Sequence, residues 1–272
     1  MTVEELLQAG HLSAAIEQLN QEVRSRPADI QRRTFLFELL CFAGDYQRAE
    51  RQLDVIGHQS ATAEVGVQVY RNILTAEAAR QRLFTEGLRP DFLFDPPSYV
   101  LWHLQALNRL RENQPTEADA LLAQAASARV PLQGQLDGVP FSDFRDGDDL
   151  FAPLLEVIVY NRYVWLPFEH VKQLHLSAPK RLRDLLWLPA TLEAHSGPVG
   201  EVFLPVLYAG SHTHADELVK LGRMTDWLDV GAGLARGLGQ RLFFSDGQER
   251  AMLEVRELTF TTAAPTALEG HL

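Results

Sequence analysis

The stretch A-G-H-L-S-A-A-I-E-Q-L at residues 9–19 returns 34 residues later as A-G-D-Y-Q-R-A-E-R-Q-L at residues 43–53. The two copies share a glycine, an alanine and a leucine at matching positions, namely Gly10, Ala15 and Leu19, and Gly44, Ala49 and Leu53. A 34-residue period is typical of tetratricopeptide repeats, in which each unit is a pair of helices. The glycine permits a tight turn between the helices, and the small alanine lets them approach closely.

A third, divergent copy follows as N-Q-P-T-E-A-D-A-L-L at residues 113–122, where Asn113, Ala118 and Leu122 keep the internal spacing. Trp102 stands at the usual aromatic position of the first helix of that pair. Apolar residues recur every three or four positions through residues 1–130, which indicates amphipathic helices that pack on one another. We therefore predict a tetratricopeptide-like α-α superhelix over residues 1–131. The alternative is an irregular helical bundle.

The pattern changes at V-P-L-Q-G-Q-L-D-G-V-P, residues 130–140. Beyond it, short runs of β-branched and aromatic residues are bounded by Gly, Pro, Asn and Asp, which favours strands. Candidate strands lie at 154–160, 163–166, 182–188, 202–208, 241–244 and 252–260, with a short helix at 168–174. Such strands predict a mainly antiparallel, small barrel-like domain. The expected fold class is α+β with two domains, residues 1–131 and 132–260, and a disordered tail at 261–272.

The composition excludes several classes of protein. A formal net charge of −11 argues against nucleic acid or anionic lipid as a partner. No stretch of about 18 apolar residues could span a membrane, and the first residues lack the basic segment of a signal peptide. A single cysteine, Cys41, rules out an internal disulfide and a cysteine-rich zinc site. We predict a cytoplasmic protein without a cofactor.

Three motifs resemble ligand sites only weakly. H-T-H-A-D at 212–216 holds two histidines and an aspartate but lacks the further ligands of a binuclear metal site, so a solvated loop is favoured. D-G-D-D at 146–149 lacks the ligand period of an EF-hand and is expected to be an exposed acidic turn. G-A-G-L-A-R-G-L-G at 231–239 departs from a dinucleotide loop because Arg236 occupies a glycine position. We assign no metal ligand and no catalytic residue.

Charged residues that lie among Trp, Leu and Phe form the remaining candidate site. Such groups are costly to bury unless they are paired and hydrogen-bonded. Our hypothesis is that some of them join one partly buried ion-pair network that holds the sheet geometry. The alternative is a recognition site for a ligand or partner. The residues are Arg183, Asp184, Trp187, Arg223, Asp226, Trp227, Gln240 and Arg241.

Four sequence blocks carry a family resemblance. They are R-D-L-L-W at 183–187, E-V-F-L-P-V-L-Y at 201–208, L-G-R-M-T-D-W at 221–227 and G-L-G-Q-R-L-F at 237–243. In this order they resemble the ImpE family, also called TagJ or SciE-like, the accessory proteins of type VI secretion. The resemblance implies a helical repeat domain joined to a β-containing domain, without catalytic activity. It also implies binding to the N-terminal helix of the small TssB/VipA-type sheath subunit and, in some members, to the ClpV-type AAA+ ATPase.

Three functional hypotheses follow. The leading one is a non-enzymatic adaptor that binds sheath components and aids sheath disassembly or recycling. The second is a small-molecule-binding or metal-dependent enzyme centred on the β domain. The third is a structural module that acts by self-association into a homo-oligomer.

Overall fold

The computed structural model describes residues 1–59 and 63–261. Helices fill the first half of this part of the chain, and they pack in pairs joined by short turns. None of the described helices is long and apolar enough to cross a membrane. The helices are α1 (Val3–Gln8), α2 (Leu12–Ser25), α3 (Ile30–Phe42), α4 (Tyr46–Gln59), α5 (Glu64–Glu86), α6 (Tyr99–Arg111) and α7 (Pro115–Ala128).

The sequence repeat marks the turns within the helix pairs. Gly10 lies between α1 and α2, Gly44 between α3 and α4, and Asn113 between α6 and α7. Their φ angles are +85°, +72° and +57°, in the left-handed region that glycine adopts freely and asparagine tolerates. The first two helix pairs therefore follow the 34-residue period, whereas the third turn lies 69 residues after the second, with α5 between them. The tetratricopeptide superhelix stays a prediction. The shared apolar positions Ala15, Leu19, Ala49, Leu53, Ala118 and Leu122 are all buried, and Trp102 is half-buried.

Strands dominate the second half, and every pairing between named strands is antiparallel. A short helix, α8 (Glu217–Lys220), precedes the ninth strand. The strands are β1 (Gln133–Leu136), β2 (Val139–Phe141), β3 (Phe144–Asp146), β4 (Leu154–Val159), β5 (Arg162–Pro167), β6 (Val171–Leu176), β7 (Trp187–Ala194), β8 (Gly197–Pro205), β9 (Thr225–Asp229), β10 (Ala235–Gly239), β11 (Leu242–Ser245), β12 (Gln248–Ala251) and β13 (Glu257–Thr261).

The large sheet is open. Its eight strands run in the order β2-β1-β13-β6-β7-β8-β4-β5, and two small sheets, β10-β9 and β12-β11-β3, lie beside it. No pairing joins β2 to β5 in the described part of the chain, so the predicted barrel-like closure is wrong. The outer edge of β5 instead meets the loop before α6, where Asp91 bridges to Val164.

Some predicted elements need correction. The helix expected at 168–174 is a 3-10 turn at 168–170 followed by β6. The register of β6 against β7 shifts between Val171 and Gln173, and this irregularity interrupts the alternation of a strand, so the buried Val171 and Leu174 have a helix-like spacing. The strand expected at 182–188 begins as a 3-10 turn at 182–185, since the carboxylate of Asp184 accepts backbone hydrogen bonds at its start. Residues 262–272 of the predicted tail lie outside the described residues, and Thr261 belongs to β13.

The two halves share a continuous buried core that runs from Val3 to Phe260. The segment 211–220 of the second half docks directly on the turns of the helix pairs. A Cβ at Gly44 would lie 2.4 Å from the ring of His212, and one at Gly10 would lie 2.5 Å from Leu218. Glu217 accepts a hydrogen bond of 3.0 Å from the backbone N–H of Ser13 and so caps the start of α2 from the other half. The division at residue 131 stays a prediction.

We expect Gly44→Ala to destabilise the protein. The left-handed backbone alone costs an alanine about 1–2 kcal/mol, and the new methyl group would also collide with His212. Chemical denaturation would measure the loss, and adding His212→Ala should recover only the steric part. Gly66→Ala is the matched control, since Gly66 lies in α5 with open space around it. That change should stabilise the helix by about 0.5–1 kcal/mol. Equal effects at both glycines would contradict the docking role of the Gly44 turn.

Candidate functional site

A chain of buried charged side chains links α5 to the sheets. Arg80 of α5 donates from Nε and Nη2 to the two carboxylate oxygens of Glu156 on β4, at 2.7 and 2.9 Å. Its Nη2 also donates to the carbonyl oxygen of Leu207 at 2.8 Å. One turn earlier on α5, Glu77 lies 3.5 Å from Nη1 of Arg80 and accepts a 2.9 Å hydrogen bond from the indole N–H of Trp187. The bidentate contact between Arg80 and Glu156 holds α5 against the sheet in one orientation.

Arg241 is the centre of this chain. It is fully buried, and its guanidinium donates to both Glu156 and Asp146, which are also buried. The rings of Phe151 and Tyr208 lie 5.3 and 4.8 Å from the guanidinium carbon, so the cation is held between two aromatic faces. Because this guanidinium is fully buried, its positive charge is stabilised mainly by those two carboxylates.

The D-G-D-D stretch at 146–149 continues the chain, and the prediction of an exposed acidic turn is wrong. Asp146 and Asp148 are fully buried. Asp146 accepts hydrogen bonds from the hydroxyl of Tyr208 at 2.9 Å and from the backbone N–H of Asp148 at 2.8 Å. Asp148 accepts from Arg236 at 2.7 Å and from the N–H of Gly237 at 3.0 Å. The glycine-rich stretch 231–239 thus supplies a cation and a backbone donor to this acidic turn, which is why both stretches can be buried.

The two acids bound by Arg241 titrate differently. Burial raises the pKa of Asp146 to about 6, and the charge of Asp148 adds to this, although Arg241 opposes both. Burial would also raise the pKa of Glu156, but the guanidinium groups of Arg80 and Arg241 outweigh it and lower that pKa to about 2. The difference arises because Glu156 lies between two arginines, whereas Asp146 faces one arginine and a second acid.

Of the eight residues proposed from the sequence, two touch this buried chain, namely Arg241 and Trp187. Arg183 forms a separate buried pair, in which Nη1 donates to Glu38 of α3 at 2.7 Å while the guanidinium lies 4.8 Å from the ring of Tyr70. Asp184 accepts from the backbone N–H groups of residues 180 and 181. The proposed set is therefore divided among several places.

The remaining four members lie nearer the surface. Arg223 donates to the carbonyl oxygen of Gln8 at 2.7 Å, which ties it to the end of α1. Gln240 donates to the carbonyl oxygen of Gly222 at 2.9 Å. Asp226 lies 3.1 Å from Nε2 of His214, and Trp227 packs on Tyr208 with ring centroids 6.0 Å apart. These contacts position loops and the β9–β10 hairpin.

The sequence reasoning missed most of the buried chain. Glu77, Arg80, Asp146, Asp148, Glu156 and Arg236 were not among the candidates. A signal was present for some of them, since Glu77 and Arg80 lie on the apolar face of α5 with Ile73, Ala76 and Leu83. Glu156 similarly interrupts the apolar run L-L-E-V-I-V of β4. A charged residue at a position that the helix or strand periodicity places in the core therefore indicates a buried ion pair.

The H-T-H-A-D stretch does not gather its side chains. His212 turns toward Gly44, whereas His214 contacts Asp226 and the backbone of Asp216. Over residues 1–59 and 63–261, no group of three or more His, Cys, Asp or Glu side chains is placed to hold a metal ion.

A cavity of about 450 Å³ opens beside the buried chain, between helices α3 to α5 and the segment 207–213. Glu77 and Arg80 are among its polar lining residues, and Trp187, Phe84 and His212 also line it. Cavities of this size at the junction of two structural units are common ligand sites.

The inner faces of α3 and α5 are not free for a partner. Glu38 of α3 is bound by Arg183, and Glu77 and Arg80 of α5 are bound by Trp187 and Glu156. An open groove of about 680 Å³ remains along α1 and α2. Its lining residues are Leu6, Ala14, Glu17, Gln18, Gln21, Glu22 and Ser25.

The comparisons with known proteins give a family, a relative and a fold. The model of the family described as ImpE protein matches residues 138–259, which run from the turn before β2 into β13. The type VI secretion system accessory component TagJ of Pseudomonas aeruginosa is 41% identical over 260 residues, covering 96% of this chain and 91% of that protein. The crystal structure of protein VPA1032 from Vibrio parahaemolyticus has a TM-score of 0.88 at 22% identity, covering 95% of this chain and 97% of that one. This last likeness shows the fold.

We expect Arg241→Met to destabilise the protein by about 3–5 kcal/mol, because it leaves Asp146 and Glu156 buried without one of their cations. Urea denaturation would measure the change. Arg250→Met is the control, since Arg250 is exposed on β12 and should change stability by less than about 0.5 kcal/mol. If the two variants were equally stable, the buried chain would not hold the fold.

We expect Asp146→Asn to alter how stability depends on pH. Its pKa of about 6 in the folded state exceeds the usual 3.8, so the folded protein retains a proton that the unfolded chain releases. Relative to the variant, the wild type should lose stability as pH rises from 4 to 6. Denaturation midpoints across this range would show it, with exposed Asp95→Asn as the control. Parallel curves for wild type and Asp146→Asn would contradict the raised pKa.

Proposed function

The chain belongs to the ImpE family, and from this premise we propose that it is a non-enzymatic adaptor that binds the N-terminal helix of a TssB/VipA-type sheath subunit in the cytoplasm. The supporting observation is the 41% identity, over nearly the full length, to an accessory component of a type VI secretion system. Helical pairs are common platforms for an amphipathic helix of a partner.

We place the partner helix in the groove along α1 and α2. The inner faces of α3 and α5 are covered by the second half of the chain, whereas this groove is open. Leu6 and Ala14 give it an apolar strip, and Glu17 and Glu22 give it an acidic border. A helix with apolar residues on one face and basic residues beside them would complement this groove.

The proposal extends to the fate of the sheath. An adaptor that holds the sheath subunit and also contacts a ClpV-type ATPase would bring substrate and unfoldase together, and so aid sheath disassembly or recycling. The family resemblance supports this second contact, and it is independent of the groove on α1 and α2. Pull-down of the ATPase by the adaptor, with and without the sheath subunit, would separate direct from bridged binding.

The rival hypotheses gain less support. A metal-dependent enzyme centred on the β domain would need His212, His214 and Asp216 to converge, and they face different neighbours. Self-association would appear as a dimer mass in light scattering of the purified protein at concentrations that still bind the sheath subunit.

We expect Ala14→Arg to weaken binding of the sheath subunit at least tenfold, about 1.4 kcal/mol, because a long cation would fill the groove. Calorimetric titration would measure the affinity. Ala120→Arg is the matched control, since Ala120 is an exposed alanine of α7 outside the groove.

The partner side is tested by deleting the N-terminal helix of the sheath subunit. Loss of binding is the expected outcome. Equal binding by the full-length and shortened subunits would contradict the helix-in-groove model. Equal binding by Ala14→Arg and Ala120→Arg would show that the site does not lie on α1 and α2.

A further inference from the structure

One carboxylate oxygen in the buried chain accepts no hydrogen bond. Both oxygens of Asp146, of Asp148 and of Glu156 accept at least one. Oε1 of Glu77 accepts from Trp187 and lies 3.5 Å from Arg80, while its Oε2 has no donor among the described residues. The Glu77 side chain is only 4% exposed and lines the cavity of about 450 Å³. Oε2 is not among the fully buried atoms without a partner, so a donor that enters the cavity can reach it.

The same series of buried charged side chains carries an excess of negative charge. Hydrogen bonds connect four acids with three arginines in one series, so one formal negative charge is left over at neutral pH. The acids are Glu77, Asp146, Asp148 and Glu156, and the bases are Arg80, Arg236 and Arg241. Since every oxygen of the three other acids already accepts a hydrogen bond, we look for a further cation at the free oxygen of Glu77.

The walls of the cavity suit an organic cation. Phe42, Tyr46, Phe84, Trp187 and Tyr208 line it, and aromatic faces attract ammonium groups within about 6 Å. These rings would also cover an alkyl chain that leads to the charged end.

The arginines of the cavity are already paired with acids. Arg80 directs its guanidinium to Glu156, to Glu77 and to the carbonyl of Leu207, and Arg82 pairs with Glu86 at 3.0 Å. Burial, together with the charges of Arg80 and Lys220, lowers the pKa of His212, so its imidazole is neutral at pH 7. An anion would instead meet Glu77 in the cavity.

We propose that this cavity binds an alkylammonium group, whose N–H donates to Oε2 of Glu77 while its alkyl chain packs on the aromatic walls. The group is either a free amine or the lysine side chain of a protein partner. This site is separate from the groove on α1 and α2, so it stands whether or not that groove binds a helix.

The test uses the full-length protein, labelled with ¹⁵N, and n-butylammonium chloride as the probe. The indole N–H of Trp187 donates to Glu77 and reports on the site directly. Its resonance is assigned by its loss in Trp187→Phe. Addition of n-butylammonium should shift this resonance to saturation, whereas n-butanol, which has the same chain without the charge, should not.

Matched variants localise the effect. Glu77→Gln should weaken the saturable shift at least tenfold, while Glu249→Gln, which removes the same charge from an exposed position on β12 outside the cavity, should leave it unchanged. Thr85→Trp would block the rim from an exposed position and should abolish the shift, which keeps the test decisive if Glu77→Gln folds poorly.

A blocked peptide Ala-Ala-Lys-Ala-Ala distinguishes the two sources of the ammonium group. Tighter binding of the peptide than of n-butylammonium would assign the site to a lysine of a partner, and weaker binding would assign it to free amines. The proposal fails if n-butylammonium gives no saturable shift, if n-butanol shifts the resonance equally, or if Glu77→Gln or Thr85→Trp binds as the wild type does.

Discussion

The pairing of Arg80 and Arg241 with Glu156 is the constraint on which the rest of the structure depends. It brings α5 of the first half, the strand β4 and the residue that precedes β11 to a single buried carboxylate. Each of these charges would be costly to bury alone, so the arrangement is stable only when all partners are present. The repeat helices and the sheets are therefore parts of one cooperative structure. The continuous core from Val3 to Phe260 has the same consequence.

The docking of residues 211–220 on the helix-pair turns explains a second feature of the molecule. Gly10 and Gly44, the two glycines of the repeat, are needed for their left-handed backbone conformation. Gly10 also lies against Leu218, and Gly44 lies against His212. The inner faces of α3 and α5 are likewise occupied within the chain. The surfaces that remain open for binding therefore include the groove on α1 and α2 and the cavity at the junction.

The junction cavity and the buried chain share Glu77 and Arg80, so binding there would be coupled to the contact between the halves. A cation at Glu77 would balance the charge of the whole series. The raised pKa of Asp146 has a separate origin, since burial is its largest cause and the charge of Asp148 adds to it.

The sequence by itself determined the helix pairs, the strand-rich second half and the family. Helical period, repeated glycines and short β-branched runs are local signals, which can be read without knowing the tertiary contacts. The four blocks at 183–187, 201–208, 221–227 and 237–243 identified the ImpE relationship, to which the match over residues 138–259 agrees. Local signals failed at 168–174, where a register shift in β6 gives buried residues of a strand a helix-like spacing.

Only the tertiary structure decided which charges are buried together. Glu77 and Glu156 are 79 positions apart, and Asp146 meets Arg241 across 95 positions, so no spacing rule connects them. The open order of the sheet and the burial of the D-G-D-D turn depend on the same long-range contacts. A charged residue in an apolar run indicates that a buried ion-pair partner is needed. Which residue is that partner depends on the packing of elements that are distant in the sequence.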